Sequence, residues 1–282
     1  MSTTIAILAP GAMGAGIGLH LVEGGATVLT NLDRRSAASR ARAEQAGMKE
    51  APLVLIAEAD LVLSIVPPGE AVSLAERLAP VLKQSRRKPV FVDANAVSPA
   101  TVARVAAALA GTGSAIIDGC IIGAPPGPRG KSPAFYVSGD PEGSTEPLRR
   151  HGLDLKVMDA PFGAASALKL AYAMCTKGVT ALAAGMVLGA ERNAVGAALR
   201  AELGRSQPDL LARFGKAMPD MLPKAYRWVA EMREIAAFLG PDDPAAMMFE
   251  GAARVYERLA ADRAGSRVLS ETLLAAVRDR PS

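Results

Sequence analysis

The first 31 residues constrain the fold most tightly. Ile5 to Ala9 is a short, unbroken apolar run, the pattern of a strand buried on both faces. It leads directly into A-P-G-A-M-G-A-G-I-G, Ala9 to Gly18, and then into the helical pattern L-H-L-V-E-G-G. Thr27 to Asn31 reads as a second strand. Strand, glycine turn, helix and strand within about 30 residues form the βαβ unit of a dinucleotide-binding fold. Gly11 and Gly14 occupy the second and third fingerprint positions, with Ala12 and Met13 between them; Ala9 stands at the first, followed by Pro10. Small residues let the backbone approach a pyrophosphate, whose charge meets the helix N-terminus. The same glycines would also suit a tight turn packing a helix on a sheet. Their placement between two strands is what points to a nucleotide.

The end of the second strand should meet the adenosine ribose. Asp33 lies 19 residues after Gly14, near where an acid binds the ribose 2′-hydroxyl. Arg34, Arg35 and Ser36 follow at once, and two guanidinium groups with a hydroxyl suit a 2′-phosphate better. The two signals conflict. The cofactor expected is NADP in preference to NAD, the alternative being that R-R-S only opens the solvated helix from Ala37 to Gly47.

Leu53 to Ala57 and Leu61 to Val66 then read as strands. Val66 and Pro67 fall at the carboxyl end of the second, where open α/β sheets bind ligands. An amphipathic helix spans Glu70 to Gln84, and Pro89 to Asp93 is a further strand, ending D-A-N-A-V-S-P. Asn95 is placed over the nicotinamide end of a bound cofactor. Ser98 is suited to cap a helix from Pro99 to Leu109. Ser114 to Asp118 reads as a strand, Asp118 to Ser132 as a Gly/Pro-rich loop, and Ala134 to Ser138 and Leu153 to Met158 as strands.

From Gly163 the pattern becomes wholly helical, with Gly163 to Asn193 as one long apolar helix. Further helices are expected at Val195 to Leu203, Gln207 to Met221, Pro223 to Phe238, Pro244 to Ala261 and Ser266 to Arg278. Two lysines interrupt the long helix. Counting from Lys169, Tyr172, Ala173, Thr176 and Lys177 recur at the spacing of one helical face. The bland reading is a core helix with two snorkelling lysines. A bilayer span needs about 20 residues, which the run exceeds, but each lysine near its middle would cost roughly 2.5–3.5 kcal/mol. A membrane span is therefore not expected. The fold class is α/β: a Rossmann-like doubly wound sheet over 1–162, then an all-α domain for substrate and dimerisation over 163–282, with 163–193 as the interdomain helix.

Composition excludes more than it selects. The 282 residues are 50% hydrophobic, enough for two cores, and the net charge is only +4. The arginines are scattered, so a nucleic-acid partner has little support. The two cysteines, Cys120 and Cys175, have neither metal nor disulfide spacing, and no metal is expected. The N-terminus lacks the pattern of a signal peptide, so a cytoplasmic location is expected.

With these segments placed, the chain resembles the 6-phosphogluconate dehydrogenase and β-hydroxyacid dehydrogenase superfamily. The family's G-L-G-x-M-G turn is A-P-G-A-M-G here, its D-S-S-T-x-x-P segment resembles D-A-N-A-V-S-P, and its G-x-G-x-x-x-K-x-x-N-N helix resembles G-A-A-S-A-L-K-L-A-Y-A. The resemblance puts Lys169 on the family's catalytic lysine. The family's D-A-P-V-S-G-G, which holds a substrate carboxylate, reads D-G-C-I-I-G-A from Asp118 to Ala124, with Ile122 at the serine, Gly123 retained and Ala124 at a glycine. Tyr172 and Ala173 replace the paired asparagines. A less acidic or aromatic substrate gains ground, and Arg129 and Lys131 remain as cationic contacts or as ordinary loop charge.

The resemblance implies an NAD(P)-dependent oxidoreductase moving a hydride between nicotinamide and a small hydroxy or keto compound. Lys169 would be its general acid/base and Tyr172 its helper. Ile122, Gly123, Ala124, Thr176 and Lys177 are the expected substrate contacts. The alternatives are an imine reductase on the same fold, whose members commonly lack the lysine, and a non-catalytic NAD(P)-binding protein. A homodimer is expected from the family and from apolar residues such as Met247 to Phe249.

Overall fold

The computed structural model describes residues 3–278. The chain divides into two compact units, with the boundary between Lys169 and Leu170.

The first unit is an eight-stranded sheet: β1 (Thr4–Leu8), β2 (Thr27–Thr30), β3 (Lys49–Glu50), β4 (Leu61–Ser64), β5 (Val90–Asp93), β6 (Ile116–Ile122), β7 (Ala134–Ser138) and β8 (Asp154–Val157). Their order across the sheet is β3-β2-β1-β4-β5-β6-β7-β8. All neighbours run parallel except β6 and β7. The first six positions have the order of a doubly wound dinucleotide fold. The carboxyl ends of β1, β4, β5 and β6 therefore lie along one edge.

Alternation explains the layering. Ile5 and Ile7 of β1 enter one hydrophobic layer, while Ala6 and Leu8 enter the other. The first layer is covered by α1 (Ala12–Glu23), α2 (Ala37–Gln45) and α6 (Glu146–Arg150), through Ile17, Leu21, Ala43 and Leu148. The second is covered by α3 (Leu53–Ile56), α4 (Ala71–Gln84) and α5 (Pro99–Ala108), through Ile56, Leu74, Leu78, Val102 and Val105. Each such leucine or valine contributes roughly 1.5–3 kcal/mol by leaving water. Ser98 caps α5 as expected, its hydroxyl accepting from Thr101 N–H at 3.2 Å.

Two sequence expectations are corrected. Leu53–Ile56 is one turn of helix, not a strand: Leu55 and Ile56 N–H both return to the Pro52 carbonyl, and only Ile56 is buried. Pro52 starts the turn, and too few residues remain before β4 for a paired strand. Conversely, β6 runs on to Ile122, so Asp118 to Ile122 is paired strand rather than loop.

The second unit is helical. It comprises α8 (Val179–Arg192), α9 (Gly196–Ser206), α10 (Pro208–Met221), α11 (Ala225–Leu239), α12 (Pro244–Ala264) and α13 (Val268–Arg278) around Met218, Met232, Ile235, Tyr256 and Leu259. The long apolar run is continuous from Ala164 but not uniform. It consists of α7 (Ala164–Ala173), a π-helical segment (Met174–Gly178) and α8. By length and composition it could cross a bilayer, a test that core helices also pass. The wider π turn breaks the 3.6-residue count that put Thr176 and Lys177 on the face of Lys169.

Candidate functional site

The glycine turn is built for close approach. Ala9 takes a left-handed backbone, φ 69°, a conformation that costs an L-residue roughly 1–2 kcal/mol and suits the glycine usual at this position. Gly11 N–H returns to the Ala9 carbonyl at 2.8 Å, across Pro10. A Cβ at Gly14 would sit 2.5 Å from that carbonyl oxygen, and a Cβ at Gly16 would sit 2.7 Å from Pro126 O. Ala12 is exposed and Met13 half-buried at the start of α1. Its first N–H groups have no intrahelical acceptor and can meet an anion. The turn fits a dinucleotide pyrophosphate.

At the ribose end, Asn31 Nδ2 donates to Asp33 Oδ2 at 3.0 Å and to the Ala51 carbonyl at 3.2 Å, which anchors the acid. Arg34 is left-handed and exposed, and Arg35 lies 3.9 Å from Glu70. Ser36 caps α2 by accepting from Ser39 N–H. Sequence reasoning missed Arg42. Its Nε donates to the Pro10 carbonyl at 3.2 Å and its Nη2 to Ser39 Oγ at 2.9 Å, so it ties α2 to the glycine turn. The signal was present, since residues 39 and 42 have i,i+3 helical spacing.

Asn95 has a structural task. It is 2% exposed; its Oδ1 accepts from Val66 N–H at 2.6 Å, and its Nδ2 donates to Ser64 Oγ and Asp93 Oδ2, each at 2.9 Å. It thus sets the backbone of Val66 and Pro67 at the carboxyl end of β4. The carboxyl of Asp93 is fully buried and pushed up to about 7 by desolvation, against its bonds from Asn95 and assisted by the charge of Asp118.

Asp118 on β6 accepts from Ser138 Oγ at 2.9 Å, Ser166 N–H at 2.9 Å and Ser166 Oγ at 2.5 Å. Burial raises its proton affinity, and these bonds oppose the rise. Lys169, half-buried on α7, donates from Nζ to the Ile121 carbonyl at 2.6 Å. Next to Ile121 come half-buried Ile122 and exposed Gly123 and Ala124. Burial pushes the Cys120 thiol up to about 12 against the opposing charge of Lys169, so it stays protonated. Pro126 packs on Gly16, and the carboxylate of Glu23 accepts from Arg129 N–H at 3.3 Å, fastening this loop to α1. Arg129 and Lys131 are exposed.

Tyr172 lies one turn after Lys169 and is 49% exposed. Thr176 Oγ1 donates to the Tyr172 carbonyl at 3.2 Å. Lys177 pairs with Glu231 and lies 5.4 Å from the Trp228 ring centroid, and Tyr256 Oη donates to its carbonyl at 2.5 Å. Thr176 and Lys177, expected at the substrate, thus have partners within the helical unit.

The sheet order, the glycine turn and the lysine-bearing helix define a nicotinamide-dinucleotide-binding protein of the hydroxyacid dehydrogenase fold. Residues 4–148 match the NAD binding domain of 6-phosphogluconate dehydrogenase, and residues 190–259 match a domain of unknown function, DUF1932. The chain belongs to the 6-phosphogluconate dehydrogenase and β-hydroxyacid dehydrogenase superfamily. It is 32% identical over 138 residues to a probable 3-hydroxyisobutyrate dehydrogenase of Mycobacterium tuberculosis, a match covering 49% of this chain and 46% of that relative. It thus spans about half the length of the curated relatives it matches. A solved 3-hydroxyisobutyrate dehydrogenase of M. tuberculosis with L-serine aligns at TM-score 0.71 and 23% identity, over 99% of this chain and 100% of that one. An imine reductase from Myxococcus stipitatus in complex with NADP+ aligns at TM-score 0.55 and 17% identity, over 93% and 95%. These two likenesses concern the fold.

Proposed function

We propose that the protein is an NAD(P)-dependent oxidoreductase acting on a small hydroxy or keto compound, with Lys169 as general acid/base. The observation that carries this reading is the ammonium of Lys169 at the carboxyl end of β6, half-buried and directed by the Ile121 carbonyl. Nicotinamide, when bound, supplies or accepts the hydride. Lys169 donates a proton to the carbonyl oxygen during reduction and removes it from the hydroxyl during oxidation; its charge also stabilises alkoxide character on that oxygen. Tyr172 serves as a second donor. Ile122, Gly123 and Ala124 line the substrate, and Ile122 in place of serine favours a less acidic or aromatic compound.

Gly11, Ala12, Met13 and Gly14 hold the pyrophosphate, while Val66 and Pro67, supported by Asn95, face the nicotinamide half. Asp33 binds the ribose and Arg34, Arg35 and Ser36 a 2′-phosphate, so NADP is the cofactor proposed. The protein works as a cytoplasmic homodimer. Met247 and Met248 are 76% and 69% exposed and suit a partner surface; gel filtration at low micromolar concentration should give twice the mass of one chain.

The test is a hydride-transfer screen of small, aromatic and acidic hydroxy compounds with both cofactors, repeated with Lys169→Ala. Turnover should be abolished in the variant while cofactor affinity changes little. A variant with the parent's rate sinks the lysine assignment. The imine-reductase likeness supplies the second reading, marked by turnover of cyclic imines and of none of the hydroxy compounds.

A further inference from the structure

Strand β6 grips helix α7 at two points, one helical turn apart. Asp118 takes the N–H and the hydroxyl of Ser166 in the first turn. Ile121, three residues along the same strand, takes the ammonium of Lys169, three residues along the same helix. Ser138, on β7, completes the first grip: its hydroxyl donates to Asp118 and accepts from Ala165 N–H at 3.0 Å. Asp118, Ser138 and Ser166 are all fully buried.

Helices usually satisfy their first N–H groups with a side chain just before the first turn. Here Gly163 has no side chain to offer, and the cap comes from strand residues distant in sequence. A buried carboxylate is a costly cap, since desolvation opposes its charge. Its compensation is positional: the negative charge meets the positive end of the helix, and it arrives on the same rigid strand whose carbonyl holds Lys169.

We infer that Asp118, with Ser138 and Ser166, is a positioning device that sets the height and rotation of Lys169 while never touching substrate. The inference rests on Lys169 being the proton-transfer group. Asp118 holds the first turn of α7 against β6, and the lysine is thereby presented next to Ile122 in one orientation. Its negative charge also favours the ammonium form.

The test is Asp118→Asn, which keeps one acceptor for Ser166 N–H while removing the charge. In the folded variant, kcat should fall roughly tenfold or more while the NADPH dissociation constant stays within about twofold. Lys169 is also titrated without turnover, by competitive acetylation with acetic anhydride read by mass spectrometry. Its midpoint should move down by about half a pH unit or more, because a nearby negative charge has gone. A folded variant with unchanged kcat and unchanged midpoint overturns the inference. If the parent turns over no hydroxy or keto compound, the catalytic reading fails, and the acetylation midpoint alone decides the positioning. Should Asp118→Asn not fold, Ser138→Ala replaces it. That change leaves the charge but removes a donor to Asp118 and the acceptor of Ala165 N–H. Acetylation of Lys169 should then speed up at least about threefold as its tether loosens, and an unchanged rate overturns the proposal.

Discussion

The buried carboxylate at the end of β5 should make stability fall as the solution becomes less acidic. Asp93 is 0% exposed, and its proton affinity rises from 3.8 to about 7, chiefly through desolvation. The native state therefore holds a proton that the unfolded chain has already released. This contribution to stability is complete below about pH 4, declines as pH rises, and is gone above about pH 7. The shift corresponds to at most about 4 kcal/mol. Other groups titrate over the same range, so the quantity to measure is the difference from Asp93→Asn. The substitution keeps one acceptor for Asn95 N–H and loses the acceptor for Asn95 Nδ2, a roughly pH-independent cost of about 1 kcal/mol. Urea denaturation is followed by far-ultraviolet circular dichroism, which reports the backbone of both units, because Trp228, the one tryptophan, lies in the helical unit and its fluorescence reports that unit. Between about pH 4.5 and 7.5 the parent should lose about 2–4 kcal/mol relative to the variant. A difference constant within about 0.5 kcal/mol would refute a buried, proton-holding Asp93.

Two further outcomes follow from the cofactor turn. Gly14→Ala drives a methyl into the Ala9 carbonyl at 2.5 Å, so it should cost roughly 1–3 kcal/mol of stability and weaken NADPH binding, read by nucleotide fluorescence. Arg42→Ala should weaken NADPH and NADH binding alike, by about tenfold, because it removes the brace from α2 to the Pro10 carbonyl of the glycine turn; unchanged binding of both would refute the brace.

Much of the fold was legible because it is written in short periods. The buried strands Ile5–Leu8, Leu61–Ser64 and Val90–Asp93 are near-continuous apolar runs, and the glycine turn declares itself by what flanks it. The helix that carries Lys169 was legible as a long apolar run opening at Gly163. Leu53–Ile56 misled because an apolar run has no period of its own, and a preceding proline with a nearby strand decided for a helical turn. The π segment at Met174–Gly178 has no counterpart in the residue pattern.

The sequence by itself therefore determined the α/β-then-α order, the nucleotide turn and the lysine-bearing helix, since each depends on neighbours a few residues apart. Only the tertiary structure decided what the polar side chains do. Asn95 supports the β4 loop, Lys177 pairs with Glu231, Arg42 reaches back to Pro10, and Asp118 caps a helix 48 residues away. A buried polar group must find a partner wherever packing supplies one, and strand pairing, not local spacing, brings Asp118 and Ser138 to the first turn of α7.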